Sequence, residues 1–328
     1  MKLLARKLGF YIVAAWFAAT LDFLLPRLIP GSPVDAFVSR EESEGFAVSP
    51  SEIHTLNHVL GTGHGGLWTD YVHYWSNIVH LNFGRSLTYF PTPVSTIVRQ
   101  SLPWTIALVG TSILLSGAIG TAAGIFLGWR RGSRLELLAP ASAFLSAIPY
   151  FWLALVLVYL LGSTAHVLPI GGGAAPGLSA SFTGAFIISA ITHAILPATT
   201  IVISSVAGWL ITMRNLMVTT LAEDYVVAAE AKGLPSSWIM LGYAARNAVL
   251  PQITSFAISL GFVVSGSIVM EIVFSYPGIG YQLYQAVENN DYPLMQAIFL
   301  VTSMTVLAAN LIADLLNGIV DPRTRSAE

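Results

Sequence analysis

The chain has 328 residues, of which 55% are hydrophobic and only 10% are charged. Soluble domains carry roughly 25% charged residues, so a water-soluble fold of this length could not hide so much apolar surface. The net charge of −2 offers no strongly basic face for nucleic acid, and the lack of cysteine excludes disulfides and thiolate metal sites. We therefore expect an all-α, polytopic membrane protein.

Six apolar windows are long enough to cross a membrane, since a spanning helix needs about 20 mostly apolar residues. They cover residues 8–29, 102–129, 137–161, 185–213, 250–274 and 294–320. The first follows Lys2, Arg6 and Lys7 as in a signal peptide, but it has no A-x-A site and is expected to remain as a span. Pro149 and Pro197 should kink the third and fourth spans or perturb their backbone bonding.

The distribution of lysine and arginine predicts the orientation of these spans. With both termini in the cytoplasm, eleven basic residues lie inside and four lie outside. Cytoplasmic loops carry such an excess, so we expect both termini to be cytoplasmic. The sequence then divides into a first span at 1–29, an extracytoplasmic segment at 30–101, a five-helix core at 102–320 with a cytoplasmic loop at 220–250, and a cytoplasmic tail at 321–328.

The extracytoplasmic segment holds a candidate amphipathic helix in "LWTDYVHYWSNIVHLNFG". Its apolar residues at helical spacing are Trp68, Tyr71, Val72, Trp75, Ile78 and Val79. Such a helix lies at the outer membrane interface or packs on neighbouring helices. It would act as a structural cap over the helix bundle or as a contact for a docking partner.

The histidines of this segment raise the question of a metal site. Five of the seven histidines lie between His54 and His80, and His54 and His58 are one helical turn apart. No cysteine or carboxylate set accompanies them. We therefore expect solvated surface histidines and no metal site, with metal binding as the alternative.

A polar block, "EDYVVAAEAKGLPSSWIMLGYAARNAVLP", separates the fourth and fifth windows. Thr220 and Glu223 have the spacing of a capping box, which predicts that a helix begins there. Gly233 suits the left-handed residue that ends a helix, and Pro235 prevents continuation. Ser236 or Ser237 would cap a second helix through Asn247, with Pro251 at the mouth of the fifth span. A short helix held between two spans would act as a lever on both.

Small and acidic residues inside the spans have competing interpretations. Gly120, Gly124 and Gly128 form a stripe that favours close helix packing over pore lining. Acids are costly in hydrocarbon and usually face protein or water; the three here are Asp22, Glu271 and Asp314. Glu271 lies near the outer end of the fifth window, before the turn "SYPGIG". It would form an outer gate with Pro277, Gly278 and Gly280, or it is an ordinary acid at a helix end. A proton relay through the three acids would instead indicate an ion-gradient-driven secondary carrier.

The polar block resembles the cytoplasmic "EAA" loop of ABC importer inner-membrane permeases, and most closely the first-permease, "B"-type subunits of the oligopeptide/dipeptide/nickel branch. The similar stretches run along nearly the whole chain: "RLIPGSPVD", "AIPYFWLALVL", "EDYVVAAEAKGL", "ARNAVLP", "EIVFSYPGIGYQLYQAVENNDYPLMQA" and "NLIADLLNGIVDPRTR". The resemblance implies the type I ABC importer permease fold with six transmembrane helices. It departs from the family pattern at Val227, where the general pattern has Glu, and at Glu230, where the branch commonly has a basic residue.

In that family the short cytoplasmic helix docks into a groove of an ATPase subunit. Carried over to this sequence, the coupling residues are Glu223, Asp224, Tyr225, Ala228, Ala229, Lys232 and Gly233. The resemblance further implies four partners, namely a homologous second permease, two ATPase subunits that bind ATP and Mg, and an extracytoplasmic substrate-binding protein. It places the chain as a multi-pass protein, in contact with membrane lipid, in the cytoplasmic membrane of a prokaryote.

The implied function is transport without catalysis by this chain. Peptides are the implied cargo, with oligosaccharides or nickel as alternatives. A motor subunit needs a G-x-x-x-x-G-K-[ST] loop, and none of the three lysines has that context. We therefore expect no catalytic residues, no cofactor and no metal in the chain itself.

Overall fold

The computed structural model describes residues 2–28, 66–130, 132–261 and 268–320, together with residues 38, 39, 42, 49, 53 and 263. Within these residues all regular elements are helices, and one isolated bridge joins Arg85 to Pro93. The expected all-α class is thereby confirmed. His54 and His58, residues 29–35 of the stretch "RLIPGSPVD" and the tail at 321–328 lie outside the described residues.

The helices follow from the apolar windows and from the polar stretches between them. In chain order they are α1 (Lys2–Leu28), α2 (Leu67–Val79), α3 (Val94–Thr105), α4 (Thr111–Trp129), α5 (Leu138–Ala147), α6 (Tyr150–Leu157), α7 (Gly184–Thr220), α8 (Asp224–Ala231), α9 (Ser236–Trp238), α10 (Arg246–Gly261), α11 (Ile268–Val273), α12 (Ile279–Glu288) and α13 (Tyr292–Val320). Short π-helical stretches at Ile106–Gly110, Val158–Thr164 and Ile239–Ala245 follow α3, α6 and α9.

The chain forms two compact units. One consists of Met1–Thr105 with Pro277–Ala308, and the other of Ile106–Tyr276 with Ala309–Glu328. In the first unit α2 packs on α1, and α3 packs on α12. In the second unit α4 packs along α7, and α8 packs on the π-helical stretch that follows α9.

Four helices among the described residues are long and apolar enough to cross a membrane. They are Arg6–Leu24, Val94–Trp129, Gly184–Thr220 and Tyr292–Leu315, and they coincide with the first, second, fourth and sixth predicted windows. The second helix starts at Val94 rather than at Leu102, because buried residues at helical spacing, including Ile97 and Val98, extend it. Arg99 and Gln100 had hidden this extension by interrupting the apolar run.

The third predicted window is not one continuous helix, and the kink predicted at Pro149 is confirmed. The window breaks between Ala147 and Tyr150, and the two parts meet at an angle of 89°. Pro149 is the cause: the residue before a proline is forced out of the helical region, and Ile148 is extended, with φ −75° and ψ 124°. Pro197, by contrast, lies inside α7 without interrupting it.

The fifth predicted window corresponds to α10 and α11, and residues 262 and 264–267 between them are not among those described. The described helices give four candidate spans, or five if the bent pair counts as one. The total of six spans and the orientation of the termini stay predictions.

The glycine stripe lies in the contact between α4 and α7. A Cβ atom on Gly120 would lie 2.5 Å from the Cβ of Trp209, and one on Gly128 would lie 2.5 Å from the Cβ of Met217. A Cβ on Gly124 would lie 2.6 Å from the backbone oxygen of Leu210. No side chain fits at these distances, so the predicted packing role of the stripe is confirmed.

Candidate functional site

The polar block begins with a turn that differs from the predicted capping box. Thr220 is the last residue of α7, and Glu223 is the extended residue that precedes α8, with φ −76° and ψ 141°. Within the described structure no side chain caps α8 at Glu223. The prediction was wrong because Thr220 still has helical backbone, and the turn 219–223 closes through backbone bonds from Ala222 to Thr219 and from Glu223 to Thr220.

The end of α8 confirms the predicted left-handed glycine. Gly233 has φ +72°. Its N–H donates to the oxygen of Glu230 at 2.9 Å, and the N–H of Leu234 donates to the oxygen of Ala229 at 3.4 Å. This pair of bonds is the Schellman motif, in which only glycine adopts the required conformation without strain.

The helix after the break is longer than predicted. α9 begins after Pro235, and helical backbone continues through the π-helical stretch into α10 as far as Gly261. Among the described atoms, no side chain of Ser236 or Ser237 caps it; the Pro235 oxygen instead accepts from the N–H groups of Trp238 and Ile239. Pro251 lies inside α10 rather than at a helix start. α8 is thus joined by a short turn to an uninterrupted helix.

A small apolar cluster holds α8 against its own chain. Its buried members are Val226, Ala229 and Ile239, and the half-buried residues around them include Trp129 and Leu234. Ala229, predicted as a coupling residue, is only 2% exposed. It therefore belongs to the inner face that seats α8 and is not on the surface that a partner would meet.

A second cluster fixes the helix that follows. Met213 and Met217 of α7 are fully buried against Ala244, Ala245 and Ala248. Small residues on one helix against long unbranched residues on the other allow a close approach of the two backbones. α7 and the helix leading into α10 are therefore packed together directly beside α8.

One side-chain bond ties α8 to α10. The Asn247 side-chain amide donates to the hydroxyl of Tyr225 at 3.0 Å and to the backbone oxygen of Tyr243 at 3.2 Å. Asn247 thereby connects the predicted coupling residue Tyr225 to the start of the long helix. The ring of Tyr225 is itself exposed.

The opposite side of α8 is open to solvent, and we call this side, together with the exposed side chains of Trp238 and Leu241 on the helix that follows, the docking face. Six predicted coupling residues lie on it or at its ends: Glu223, Asp224, Tyr225, Ala228, Lys232 and Gly233. The sequence analysis missed four apolar members, namely Val227, Ala231, Trp238 and Leu241. Trp238 is 62% exposed and Leu241 57%, three residues apart on the next helix. The sequence does contain a signal for Trp238 and Leu241, because large apolar side chains are unusual in an otherwise polar loop.

The docking face carries an excess of negative charge. Glu223, Asp224 and Glu230 are exposed, and Lys232 is the one exposed base beside them on the segment 223–235. Asp224 lies in the first turn of α8, where the helix dipole favours an acid. None of these four residues forms an ion pair with another described residue. The face thus combines uncovered apolar groups with uncompensated carboxylates.

Glu271, the first predicted gate residue, is fully buried in α11 of the second unit. Its backbone oxygen accepts from the N–H of Tyr276 at 2.8 Å, and the Phe274 oxygen accepts from the N–H of Gly172 at 2.7 Å. Burial and then the Glu271 carboxylate raise the pKa of the Tyr276 phenol to about 12, so this phenol stays protonated at neutral pH. The surroundings of Glu271 are closely packed.

The other predicted gate residues belong to the first unit. Gly278 precedes α12 in extended conformation, and the N–H of Ile279 donates to the hydroxyl of Thr105 at 2.8 Å. Gly280 is buried and Pro277 is half-buried. These residues form the start of α12, and their role in a gate stays a prediction.

The remaining candidate residues that are described include an acid of α1 and two histidines of the segment that contains α2. Asp22 is buried in α1, and its backbone oxygen accepts from the side-chain amide of Gln296 at 3.2 Å. His73 and His80 are exposed on or next to α2. Among the described residues, no group of three or more His, Asp or Glu could hold a metal ion.

Comparison with known proteins gives consistent matches. The family described as "Binding-protein-dependent transport system inner membrane component" matches residues 120–326, a range that contains the whole polar block. The oligopeptide transport system permease protein of Bacillus subtilis is 31% identical over 304 residues, 92% of each chain. The di/tripeptide transport system permease protein of Pseudomonas aeruginosa is 30% identical over 340 residues, 99% of each chain. The dipeptide transport system permease protein of Escherichia coli is 28% identical over 342 residues, 99% of each chain.

Proposed function

Since the chain belongs to the family of binding-protein-dependent transport system inner membrane components, we propose that it is the permease subunit of an ATP-driven peptide importer. In this proposal the chain supplies part of the path across the cytoplasmic membrane of a prokaryote. The other part comes from a second permease. Two ATPase subunits bind ATP and Mg and hydrolyse the ATP, and an extracytoplasmic binding protein delivers the cargo.

The proposal rests on the contacts that hold α8 against its own chain. The helix is seated on Ile239 and Trp129 through Val226 and Ala229. It is also bonded to the start of α10 through Tyr225. A push on the exposed side of α8 would therefore be passed to α7 and α10, which are packed on each other beside it. A solvated connecting loop needs no such seat.

The chemistry of the docking face defines the ATPase surface that would fit it. Trp238, Leu241 and Val227 are large apolar groups without cover from the described residues, so they call for an apolar groove. The three carboxylates against one lysine call for basic residues on the rim of that groove. We therefore expect each ATPase subunit to present an apolar slot edged by Arg or Lys.

Peptides are the proposed cargo because the similar proteins are named as permeases of oligopeptide, di/tripeptide and dipeptide transport systems. No observation on this chain favours sugar, nickel or an ion-gradient-driven carrier. The length of the peptide would be set mainly by the binding protein.

The test is uptake of labelled peptides into proteoliposomes. We expect ATP-dependent uptake when the chain is reconstituted with its second permease, its ATPase subunits and loaded binding protein. We expect none from the chain alone under a proton or sodium gradient. Gradient-driven uptake by the isolated chain would contradict the proposal.

A matched pair of variants ties the test to the docking face. Trp238→Glu places a charge on the exposed apolar patch and should abolish ATP-dependent uptake. Ser236→Glu, an exposed residue about 160° around the helix from Trp238 and about 140° from Leu241, should leave uptake nearly unchanged. Equal loss in both variants, or in neither, would contradict docking through this face.

A further inference from the structure

One side of helix α2 contacts α1 through half-buried aromatic side chains and one ion pair. The hydroxyls of Tyr71 and Thr20 lie 2.8 Å apart, and the Phe23 ring meets the rings of Tyr71 and Tyr74 at 5.2 Å and 5.4 Å. Asp70 forms an ion pair of 3.8 Å with Arg27. α2 is therefore attached along the C-terminal part of α1.

These contacts fix the depth of α2 relative to the apolar stretch of α1, which ends at Leu24. At 1.5 Å per residue, Thr20 lies about 6 Å before that end and Arg27 about 4.5 Å beyond it. α2 consequently sits at the level where the hydrocarbon of the bilayer gives way to the headgroups.

The rest of α2 divides into an apolar and a polar sector. At about 100° per residue, Trp68, Val72 and Val79 fall within about 40° of one another, next to the side that α1 covers. Trp68 and Val79 are each 75% exposed. The following sector is polar and exposed, and it consists of Thr69, His73, Ser76 and Asn77. The helix thus presents three different environments around its axis.

We propose that the apolar sector of α2 rests on membrane lipid, in the leaflet at the C-terminal end of α1. Three observations point to lipid rather than to a protein partner. The sector lies at the depth of the headgroups, and it adjoins α1, whose exposed residues Trp16 and Leu24 are apolar. It also includes Trp68, a residue type that is enriched at membrane interfaces.

The proposed contact depends on apolar and aromatic groups, not on charge. The α2 sequence LWTDYVHYWSNIV contains no lysine or arginine, and its one acid is paired with Arg27. Anionic lipid attracts basic segments, and α2 has no basic residue, so its contact with the membrane does not require anionic lipid. Neutral phosphatidylcholine is therefore a sufficient partner for this helix.

The experiment uses nitroxide labels on single cysteines in the full chain, reconstituted into phosphatidylcholine nanodiscs. The chain has no native cysteine, so no residue has to be removed first. Val72→Cys and Val79→Cys report on the apolar sector, and His73→Cys and Asn77→Cys are matched controls on the polar sector. The measured quantity is the ratio of collision with oxygen, which concentrates in lipid, to collision with a water-soluble nickel chelate.

We expect this ratio to exceed one at positions 72 and 79 and to fall below one at positions 73 and 77. Adding anionic lipid should leave all four values unchanged. A ratio below one at positions 72 and 79 would overturn the proposal. The proposal would also be overturned if the labels at positions 72 and 79 were shielded from the nickel chelate only after the binding protein is added, since a protein would then cover this sector.

A second measurement avoids cysteine altogether. Lipids brominated near the headgroup should quench the tryptophan emission of the wild-type chain more than that of the Trp68→Phe variant. Equal quenching in the two proteins would contradict contact between Trp68 and lipid.

Discussion

Helices α2 and α8 are both short helices with one side packed on the chain and the other side exposed, but the backbone that follows them differs. α8 ends at Gly233, and a turn of a few residues leads into uninterrupted helix up to Gly261. α2 ends before Leu81, which has φ +53°, and a stretch without regular helix follows as far as Val94. Of the two, only α8 is therefore followed closely by a long helix. A force applied to α8 would be transmitted to that helix.

The contacts that hold the two helices in place also differ. α8 contributes Val226 and Ala229 to a buried apolar cluster with Ile239, and Trp129 and Leu234 pack around it. α2 rests on aromatic rings and on a partly exposed ion pair, whose contribution is about 0–1 kcal/mol. A short helix with one exposed side can be a lever or a lateral attachment, and the packing of its buried side and the backbone that follows it distinguish the two.

The largest effect is expected from Ala229→Asp. The substitution puts an unpaired charge into the cluster of Val226, Ile239 and Leu234, at a cost on the order of several kcal/mol. α8 should leave its seat, and substrate-stimulated ATP hydrolysis and uptake should be lost. Hydrogen exchange of the amides of α8 measures the first effect, and ATPase assays of the reconstituted complex measure the second.

Ala228→Asp is the matched control, since Ala228 is the exposed neighbour of Ala229. It should leave amide exchange of α8 unchanged even where it weakens docking. If Ala229→Asp also left exchange unchanged, the seat described for α8 would be wrong.

The next largest effect is expected from Gly233→Val. Among the described atoms none lies within 4 Å of a Cβ placed there, so the effect comes from the positive φ and not from a clash. Strained backbone of this kind costs about 1–3 kcal/mol. The variant should assemble in the membrane yet lose substrate-stimulated ATP hydrolysis.

Gly233→Asn separates backbone conformation from side-chain volume, because asparagine adopts the left-handed region more readily than valine. It should retain most of the stimulation. Full stimulation in Gly233→Val would mean that the polar block is only a connector between two spans.

A smaller effect is expected from Tyr225→Phe, which removes the bond from Asn247 and keeps the ring. Such a bond contributes about 0.5–1.5 kcal/mol. Stimulated ATP hydrolysis should fall in part, with unchanged membrane assembly. Tyr71→Phe removes the side-chain hydrogen bond between α2 and α1 and should not change the stimulated ATP hydrolysis. A loss of coupling in Tyr71→Phe would erase the distinction between the two helices.

The smallest effect is expected from Lys232→Ala. Lys232 is exposed and forms no ion pair with another described residue, so its removal costs no folded contact. Uptake should stay close to the wild-type value at physiological ionic strength. Loss of uptake comparable with that of Gly233→Val would assign Lys232 an essential ionic contact with the ATPase.

The sequence predicts features that depend on local backbone chemistry. Gly233 before Leu-Pro has the left-handed conformation expected of it, and the helix break falls at Pro149. The glycine stripe of α4 also packs as predicted, because its spacing alone defines one side of a helix.

Other features depend on contacts far apart in the chain, and sequence reasoning missed them. Ala229 faces inward because Trp129 and Ile239 meet it, and neither contact can be read from the local pattern. Trp238 was not predicted on the docking face, although its large apolar side chain in a polar loop was a local signal. The capping box predicted at Thr220 is absent because α7 extends through Thr220, which is its last residue.

The central claim is that the exposed side of α8 meets an ATPase subunit. The most direct test is photo-crosslinking in the assembled importer, with a photoreactive amino acid at Val227 of α8 and, as the control, at Val72 of α2. We predict an adduct with the ATPase subunit from position 227 and none from position 72. Absence of that adduct at position 227, in a complex that still hydrolyses ATP in response to loaded binding protein, would contradict the account.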